Sequence, residues 1–98
     1  MTWYVFYTKQ ALKDKESVVA AGLGKRAREL IELIKQDPFA TPPKFEKLVG
    51  DLRGTYSRRI NIQHRLVYEL IPNTEERPAP DGKIYDGFVK ILRMYEHY

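Results

Sequence analysis

The segment that decides the fold is Tyr56–Leu70, with the sequence YSRRINIQHRLVYEL. Two strand-like runs, rich in aromatic, β-branched and long side chains, meet at a short polar turn, a pattern typical of a β-hairpin. The hairpin carries three arginines, Arg58, Arg59 and Arg65, and His64 lies at its turn. Arginine where a hairpin more often has Thr or Ser indicates that this face binds something negative, and phosphate is the first candidate.

Composition sets limits on the kind of protein. The chain has 98 residues, enough for one domain and too few for a second module. A net charge of +4 favours a polyanionic partner, whether nucleic acid, an acidic membrane or an acidic protein segment. The lack of cysteine excludes disulfides, thiolate metal sites and cysteine nucleophiles. With no signal sequence and no apolar run of membrane-spanning length, we expect a cytoplasmic protein without a membrane partner.

Upstream of the hairpin the sequence predicts one strand and two helices. Residues 2–7 are aromatic and β-branched, as in a strand, and Thr8 can cap a helix that runs to about Ala21. One face of this helix is expected to hold Leu12, Glu16 and Val19, with Ala11 and Val18 beside them. A second helix, from about Lys25 to Gln36, shows the i, i+3, i+4, i+7 pattern of an amphipathic helix. Its apolar positions are Ala27, Leu30, Ile31 and Ile34.

The second half of the chain reads as loop and strands. A proline-rich loop is predicted over 39–47, followed by strands at about 55–62, 65–71 and 84–95. The polar segment 72–82 is interpreted as loop or as partly disordered. The order is therefore βααβββ in a single domain spanning residues 1–98. We predict an α+β fold in which both helices pack on one face of an antiparallel sheet and the other face stays open.

Alternation along the strands assigns side chains to the two faces of the sheet. In the strand 65–71 the leucines fit the face covered by the helices, so Arg65 belongs to the open face. Arg59 joins it, whereas Arg58 points the other way or lies at the strand edge. If Leu92 belongs to the core, three further residues join the open face: Arg93, Tyr95 and His97. Such a basic face could equally be a solvated surface, and the charge pattern alone does not decide between the two interpretations.

Three motifs together resemble the YoeB/Txe group of the RelE toxin superfamily, the toxins of type II toxin–antitoxin modules. They are YSRRI at 56–60, HRLVY at 64–68 and the terminal pair His97-Tyr98. The resemblance is close over about 30–70, returns at 95–98 and is weak over residues 1–20. It implies a RelE-like fold, similar to that of small microbial ribonucleases, with an insertion at about 72–87 in the last hairpin.

The resemblance also implies an activity and a set of site residues. The activity is that of an endoribonuclease that cuts messenger RNA, mainly in the decoding site of a translating ribosome, without a cofactor. Carried over residue by residue, the general base falls on Glu46, the transition-state arginine on Arg65 and the general acid on His97. Arg59 and Tyr98 fall on further active-site positions. With the open-face residues added, the candidate RNA-binding set is Arg59, Arg93, Tyr95 and Tyr98.

The chemistry of RNA cleavage agrees with these residue types. Without a metal it requires a base for the ribose 2′-OH, a cation for the charge on the phosphoryl oxygens and an acid for the departing 5′ oxygen. Glu46, Arg65 and His97 supply one of each, and the sequence shows no metal-ligand cluster, which disfavours a two-metal nuclease. Apart from the resemblance, Glu46 is better explained as a loop carboxylate paired with a neighbouring lysine. His64 is expected to be structural.

Partners and one alternative function follow from the same resemblance. It implies a cognate YefM/Phd-type antitoxin, whose acidic segment would suit a basic toxin, besides messenger RNA, the ribosome and a homodimer. The alternative is a non-catalytic toxin or binding module of the same fold that acts on another target, such as gyrase. That branch lacks the combination of Glu, Arg and His, so the sequence favours the nuclease.

Overall fold

A five-stranded sheet covered on one face by two helices makes up the computed structural model. It describes residues 2–42, 44–48 and 54–96, without the side chains of residues 95 and 96. The elements in chain order are β1 (Trp3–Tyr7), α1 (Lys9–Ala20), α2 (Gly24–Gln36), β2 (Phe45–Lys47), β3 (Thr55–Arg59), β4 (His64–Pro72) and β5 (Gly87–Glu96). The predicted order βααβββ is confirmed for the longer elements, and β2 is a short strand added to it.

The strand order in the sheet is β1-β5-β4-β3-β2. The antiparallel arrangement predicted for the strands is confirmed for β3, β4 and β5, and the short β2 also pairs antiparallel with β3. At β1 the sheet is parallel, with Val5 opposite Val89 of β5, so the sheet as a whole is mixed. A parallel pair requires a long connection, and the one between β1 and β5 runs through both helices and the strands β2, β3 and β4.

Helix α1 begins at the predicted cap, because the Thr8 hydroxyl oxygen accepts a hydrogen bond from the Ala11 amide at 3.0 Å. The face of α1 that packs on the sheet differs from the prediction. Leu12 and Val19 are 50% and 55% exposed. The buried residues are Ala11, Asp14 and Val18. The prediction was therefore wrong for Leu12 and Val19, whereas Ala11 and Val18, which were expected beside them, are buried together with the Asp14 carboxylate.

Helix α2 buries the predicted apolar stripe, Ala27, Leu30, Ile31 and Ile34. These side chains pack on the helix-facing side chains of β4 and β5, which are Leu66, Tyr68, Leu70, Val89, Ile91 and Met94. Within the described ranges, no helix is both long and apolar enough to cross a membrane. The core therefore lies between the two helices and one face of the central strands.

A β-bulge in β5 changes the face on which its side chains lie. Val67 of β4 lies opposite Arg93, but the next residue, Tyr68, lies opposite Ile91, so Leu92 has no partner on β4. The expectation that Leu92 belongs to the core was wrong, because Leu92 is only half-buried and Ile91 is the core residue. Residues on the two sides of a bulge follow different parity. Strict alternation along the whole strand was therefore the wrong assumption.

The segment from Pro72 to Gly87 is a folded extension of the β4–β5 hairpin. The Asn73 side-chain amide donates to the carbonyls of Arg77 and Tyr85 at 2.9 and 3.0 Å, and its oxygen accepts from the Arg77 amide at 2.9 Å. A β-bridge joins Pro78 to Ile84. Of the two predicted alternatives, the segment is the loop, and it is ordered because the Asn73 side chain supplies hydrogen bonds that a polar composition alone does not reveal.

Arg58 is fully buried between β4 and the loop that follows α2. Its Nε donates to the Tyr68 hydroxyl at 3.0 Å, and its terminal nitrogens donate to the carbonyls of Ala40 and Pro38 at 2.6 and 2.8 Å. The guanidinium carbon lies 5.1 Å from the centre of the Phe45 ring. The predicted orientation of Arg58 away from the open face is confirmed. Because a buried cation requires acceptors in place of water, these contacts tie the loop and β2 to the sheet.

We expect Arg58→Lys to destabilise the protein strongly. A single ammonium nitrogen cannot reproduce the fork of donors, and each buried acceptor left without a partner costs about 1–3 kcal/mol. The free energy of unfolding, measured by urea denaturation, should therefore fall by about 3 kcal/mol. The matched control is Arg59→Lys at the next, exposed position, which should change stability by less than about 0.5 kcal/mol. Equal losses in the two variants would contradict this role of Arg58.

Candidate active site

Glu46 lies in the middle of β2, where the sequence predicted a loop. It sits opposite Ser57 of β3, with Phe45 opposite Arg58 on one side and Lys47 opposite Tyr56 on the other. The prediction of a loop at this position was wrong, because three residues are too few to show the alternation that identifies a strand. The edge strand gives Glu46 a fixed register relative to the central strands.

Two rows of side chains cross the open face of the sheet, as the strand register shows. The first row contains Glu46, Ser57, Val67 and Arg93. The second row contains Arg59, Arg65 and, by its backbone position, Tyr95. The rows are two residues apart along each strand, a spacing that the side chain of an arginine can cross. The sheet thereby brings Arg65 close to Glu46, although 18 residues separate them in the sequence.

Arg65 holds a fixed position between Ser57 and Glu46. Its Nη1 donates to the Ser57 hydroxyl at 2.8 Å and its Nη2 to Glu46 Oε1 at 3.3 Å. The Arg65 side chain is 10% exposed and that of Glu46 58%. The Arg65 Nε–H is buried and donates to no acceptor in the described part of the chain. A solvent-exposed carboxylate therefore lies beside a buried cation that has one donor without a partner.

The other predicted site residues are distributed as follows. Arg59 is exposed at the end of β3 and lies directly opposite Arg65. Arg93 lies in the first row, but its guanidinium is bound to Asp14 of α1, with Nε 2.7 Å from the carboxylate. The backbone of Tyr95 lies opposite Arg65. Three predicted groups lie outside the described residues: the Tyr95 side chain, His97 and Tyr98.

Ser57 is the site residue that sequence reasoning missed. Its hydroxyl accepts a hydrogen bond from Arg65 and so fixes the plane of the guanidinium. The sequence did contain a signal for this role, because Ser57 is a small polar residue two positions before Arg59 and therefore on the same face of the strand. His64, by contrast, is the first residue of β4, and its amide and its Nδ1 lie 2.7 and 3.1 Å from Oδ1 of Asn61 in the turn. In the ranges 2–42, 44–48 and 54–96, no three carboxylate or histidine side chains are grouped to hold a metal ion.

Asp14 is a second buried polar group that the sequence did not reveal. Its carboxylate accepts hydrogen bonds from Arg93 Nε at 2.7 Å and from the Met94 amide at 3.0 Å. The pairing of β1 with β5 ends at Ile91, so Asp14 serves an amide of β5 beyond that last pair. Burial on its own would raise the pKa of Asp14. The hydrogen bonds from Arg93, Gln10 and the Met94 amide outweigh burial, and the pKa lies below its ordinary value.

The sequence matches the profile of one protein family over residues 7–98, the family of the YoeB-like toxin of bacterial type II toxin–antitoxin systems. Toxin YoeB of Streptomyces coelicolor is 53% identical over 45 residues, which make up 46% of this chain and 54% of that protein. The chain thus spans about half the length of the curated relatives it matches.

Solved structures of similar proteins cover almost the whole chain. The YoeB/ParE toxin from Agrobacterium tumefaciens has a TM-score of 0.76 at 27% identity, covering 97% of this chain and 99% of that one. YoeB from Staphylococcus aureus, solved as a dimer, has a TM-score of 0.71 at 29% identity and 98% coverage of both chains. The YoeB–YefM complex from the same organism has a TM-score of 0.70 at 28% identity and the same coverage. The resemblance drawn from the sequence motifs and the predicted RelE-like fold are confirmed.

The ion pair of Asp14 should make stability depend on pH. Since the folded state lowers the pKa of Asp14, the stabilisation is present above its ordinary pKa of about 4 and is lost as the pH falls through the lower, folded value. We expect Asp14→Asn to reduce stability at pH 7 by about 1.5–3 kcal/mol and to flatten the loss of stability below about pH 4.

Urea denaturation at a series of pH values from neutral to acidic checks this expectation. The matched control is Glu16→Gln, which changes an exposed carboxyl on the same helix and should keep the wild-type pH dependence. The role of Asp14 would be refuted by an Asp14→Asn variant whose stability declines below pH 4 as steeply as that of the wild type.

Proposed function

We propose, from the premise that this chain belongs to the YoeB-like toxins of bacterial type II toxin–antitoxin systems, that it is a metal-independent endoribonuclease. It acts in the cytoplasm and cleaves messenger RNA on the translating ribosome. The observation that carries the proposal is the contact between Glu46 and Arg65, in which an exposed carboxylate lies 3.3 Å from a buried guanidinium on the open face of the sheet. The two residues supply the base and the cation that cleavage through the 2′-OH requires.

Glu46 is the general base. Its side chain is more than half exposed, so a ribose 2′-OH can approach it from solvent. A carboxylate oxygen at this position can accept the proton of that hydroxyl. Because β2 is hydrogen-bonded to β3, the carboxylate keeps its position when the substrate arrives.

Arg65 stabilises the charge that develops on the scissile phosphate. Its Nε and Nη2 form the side-on fork of the guanidinium, which matches two oxygens of a phosphoryl group. In the present state Glu46 occupies Nη2, and Nε has no partner among the described residues. A phosphoryl group that takes both donors displaces the Glu46 oxygen from Nη2, and the carboxylate can then turn to the 2′-OH. Ser57 holds the guanidinium in place meanwhile.

The remaining roles belong to residues on the same face and at its border. β5 brings Tyr95 opposite Arg65, which supports the assignment of His97, two residues later, as the acid that protonates the 5′ oxygen. Arg59, Arg93, Tyr95 and Tyr98 are assigned to RNA binding. Arg93 would do so from its ion pair with Asp14, at the end of the first row opposite to Glu46.

Partners follow from the structures of similar proteins. YoeB of Staphylococcus aureus has been solved as a dimer and in complex with YefM. For this chain we accordingly infer a cognate antitoxin of the YefM/Phd type and a homodimer. The net charge of +4 suits both an acidic antitoxin segment and the ribosome, whose RNA is a polyanion.

We expect Glu46→Gln to abolish toxicity and cleavage. The amide oxygen can still accept a hydrogen bond from Arg65, but it cannot take up a proton from the ribose, so the rate should fall by about 10²–10⁴-fold. The measurement is primer extension on a translated message after induction of the variant. The matched control is Glu69→Gln, which removes a carboxylate from the same sheet face at a position opposite Thr55 and Lys90, and should cut as the wild type does.

Two results would contradict the proposal. One is cleavage by the Glu46→Gln protein at the wild-type rate. The other is growth arrest by the wild type without cuts in translated messages but with DNA damage, which would indicate the non-catalytic alternative. Co-purification of the Glu46→Gln protein with the antitoxin shows in each case that the variant is folded.

A further inference from the structure

The open face of the sheet continues past the candidate active site toward the far end of β4. Glu69 and Ile71 lie four and six residues after Arg65 on β4, so their side chains are on the same face as that of Arg65. The register places Lys90 of β5 opposite Glu69 and Phe88 opposite Ile71. A third row, next to the first, therefore contains Glu69 and Lys90, and a fourth row contains Ile71 and Phe88. Successive rows are about 7 Å apart.

Aromatic side chains dominate the fourth row. Tyr4 of β1 pairs with Phe88, and their ring centres are 6.3 Å apart at an interplanar angle of 72°. Tyr85, from the extension between β4 and β5, has its ring centre 5.4 Å from that of Tyr4 at an angle of 57°. We call these three half-buried rings the aromatic patch. Since neither contact is a parallel stack, ring faces remain on which another flat ring can stack.

Two cations on β5 lie between the candidate active site and the aromatic patch. Arg93 in the first row keeps 45% of its side chain exposed beside its ion pair with Asp14. Lys90 in the third row forms no ion pair within residues 2–42, 44–48 and 54–96, although Glu69 lies opposite it in the ladder. From the site outward, β5 therefore presents two cations and then the aromatic patch on one continuous face.

This order of groups suits a single strand of RNA. Proteins that bind single-stranded nucleic acid combine positive charges along the backbone with aromatic rings on which the bases stack. The core of a protein–protein interface is instead depleted of charged residues, whereas here Lys90 and Glu69 lie in the middle of the face. RNA held by Arg65 at the scissile phosphate stays on the same face when it continues over Arg93 and Lys90 to the aromatic patch.

We propose that the open face along β5 is a track for the RNA strand that leaves the candidate active site. Lys90 binds a phosphate of this strand, and the aromatic patch stacks on a base about 20 Å, or three row spacings, from Arg65. The inference rests on the proposed function and adds a distant contact with the substrate to it. The contact has no base preference, because every base has a flat face. Neither Lys90 nor the aromatic patch takes part in the proton transfers.

The test uses the Glu46→Gln protein, so that RNA is bound without being cut. Fluorescently labelled oligouridylates of two and ten nucleotides are titrated with this protein, and their dissociation constants are measured by fluorescence anisotropy. We expect a further Tyr4→Leu substitution, which keeps an apolar side chain but removes the ring, to weaken binding of the longer RNA about tenfold. Binding of the dinucleotide, which is too short to reach the aromatic patch from Arg65, should not change.

A further Lys90→Gln substitution tests the phosphate contact through its salt dependence. Loss of one phosphate contact to a single strand reduces the slope of log K against log salt concentration by about 0.7, and we expect this change for the longer RNA. The matched controls lie off the open face. Phe39→Leu removes a ring that is 51% exposed in the loop after α2, and Lys13→Gln removes an exposed cation of α1. Both should keep the affinity and the slope of the parent protein.

Three results would overturn the track: no binding of the longer RNA, unchanged affinity after Tyr4→Leu, or an unchanged salt slope after Lys90→Gln in proteins that are folded by circular dichroism. If Tyr4→Leu spares RNA binding but weakens the homodimer or the complex with the antitoxin, the aromatic patch is a protein interface instead. Absence of cuts by the wild type in primer extension would overturn the proposed function. Cuts by the wild type together with unchanged oligonucleotide binding would overturn the track alone, so the two failures can be told apart.

Discussion

The guanidinium of Arg58 is the contact on which the rest of the site depends. It has no exposure to solvent, so its charge is compatible with the folded state only if protein acceptors replace water. Those acceptors are the Tyr68 hydroxyl in β4 and two carbonyls in the loop after α2. The Phe45 ring packs against the same cation, and Glu46 is the next residue. A strand of three residues is too short to hold its own position at a sheet edge. The contact of Phe45 with the buried Arg58 guanidinium fixes the position of β2.

Strand alternation gives the three arginines of the hairpin different environments. Arg58 faces the interior and is structural, whereas Arg59, its neighbour in the chain, is exposed on the other side. Arg65 combines features of both, since it lies on the open face and yet is largely buried against Ser57 and Glu46. A cation that is held in place by neighbours, with one donor unused, is suited to stabilise charge that appears only during the reaction, because it does not have to reorganise.

The carboxylates of Asp14 and Glu46 each contact an arginine of the open face, and the difference in their burial decides their use. Asp14 is buried, bound by Arg93 and the Met94 amide, and stabilises the edge of β5 beyond its last pair with β1. Glu46 makes one contact with Arg65 and leaves most of its surface to solvent. The first arrangement holds a carboxylate permanently, and the second leaves it available for a proton.

The extension between β4 and β5 lies at the opposite end of β4 from Arg65, and Asn73 organises it internally.

Local signals in the sequence determined the parts of the fold that depend on neighbours in the chain. They include the cap at Thr8, the apolar stripe of α2 and the hairpin, and the hairpin motifs together with the terminal pair His97-Tyr98 indicated the family. Tertiary structure alone decided that Glu46 lies on a strand, that a bulge at Leu92 changes the parity of β5, and that Ser57 orients Arg65. It also decided that α1 buries Asp14 in place of Leu12. Each of these outcomes depends on a partner elsewhere in the chain, and neither periodicity nor residue preference records which distant partner the fold will supply.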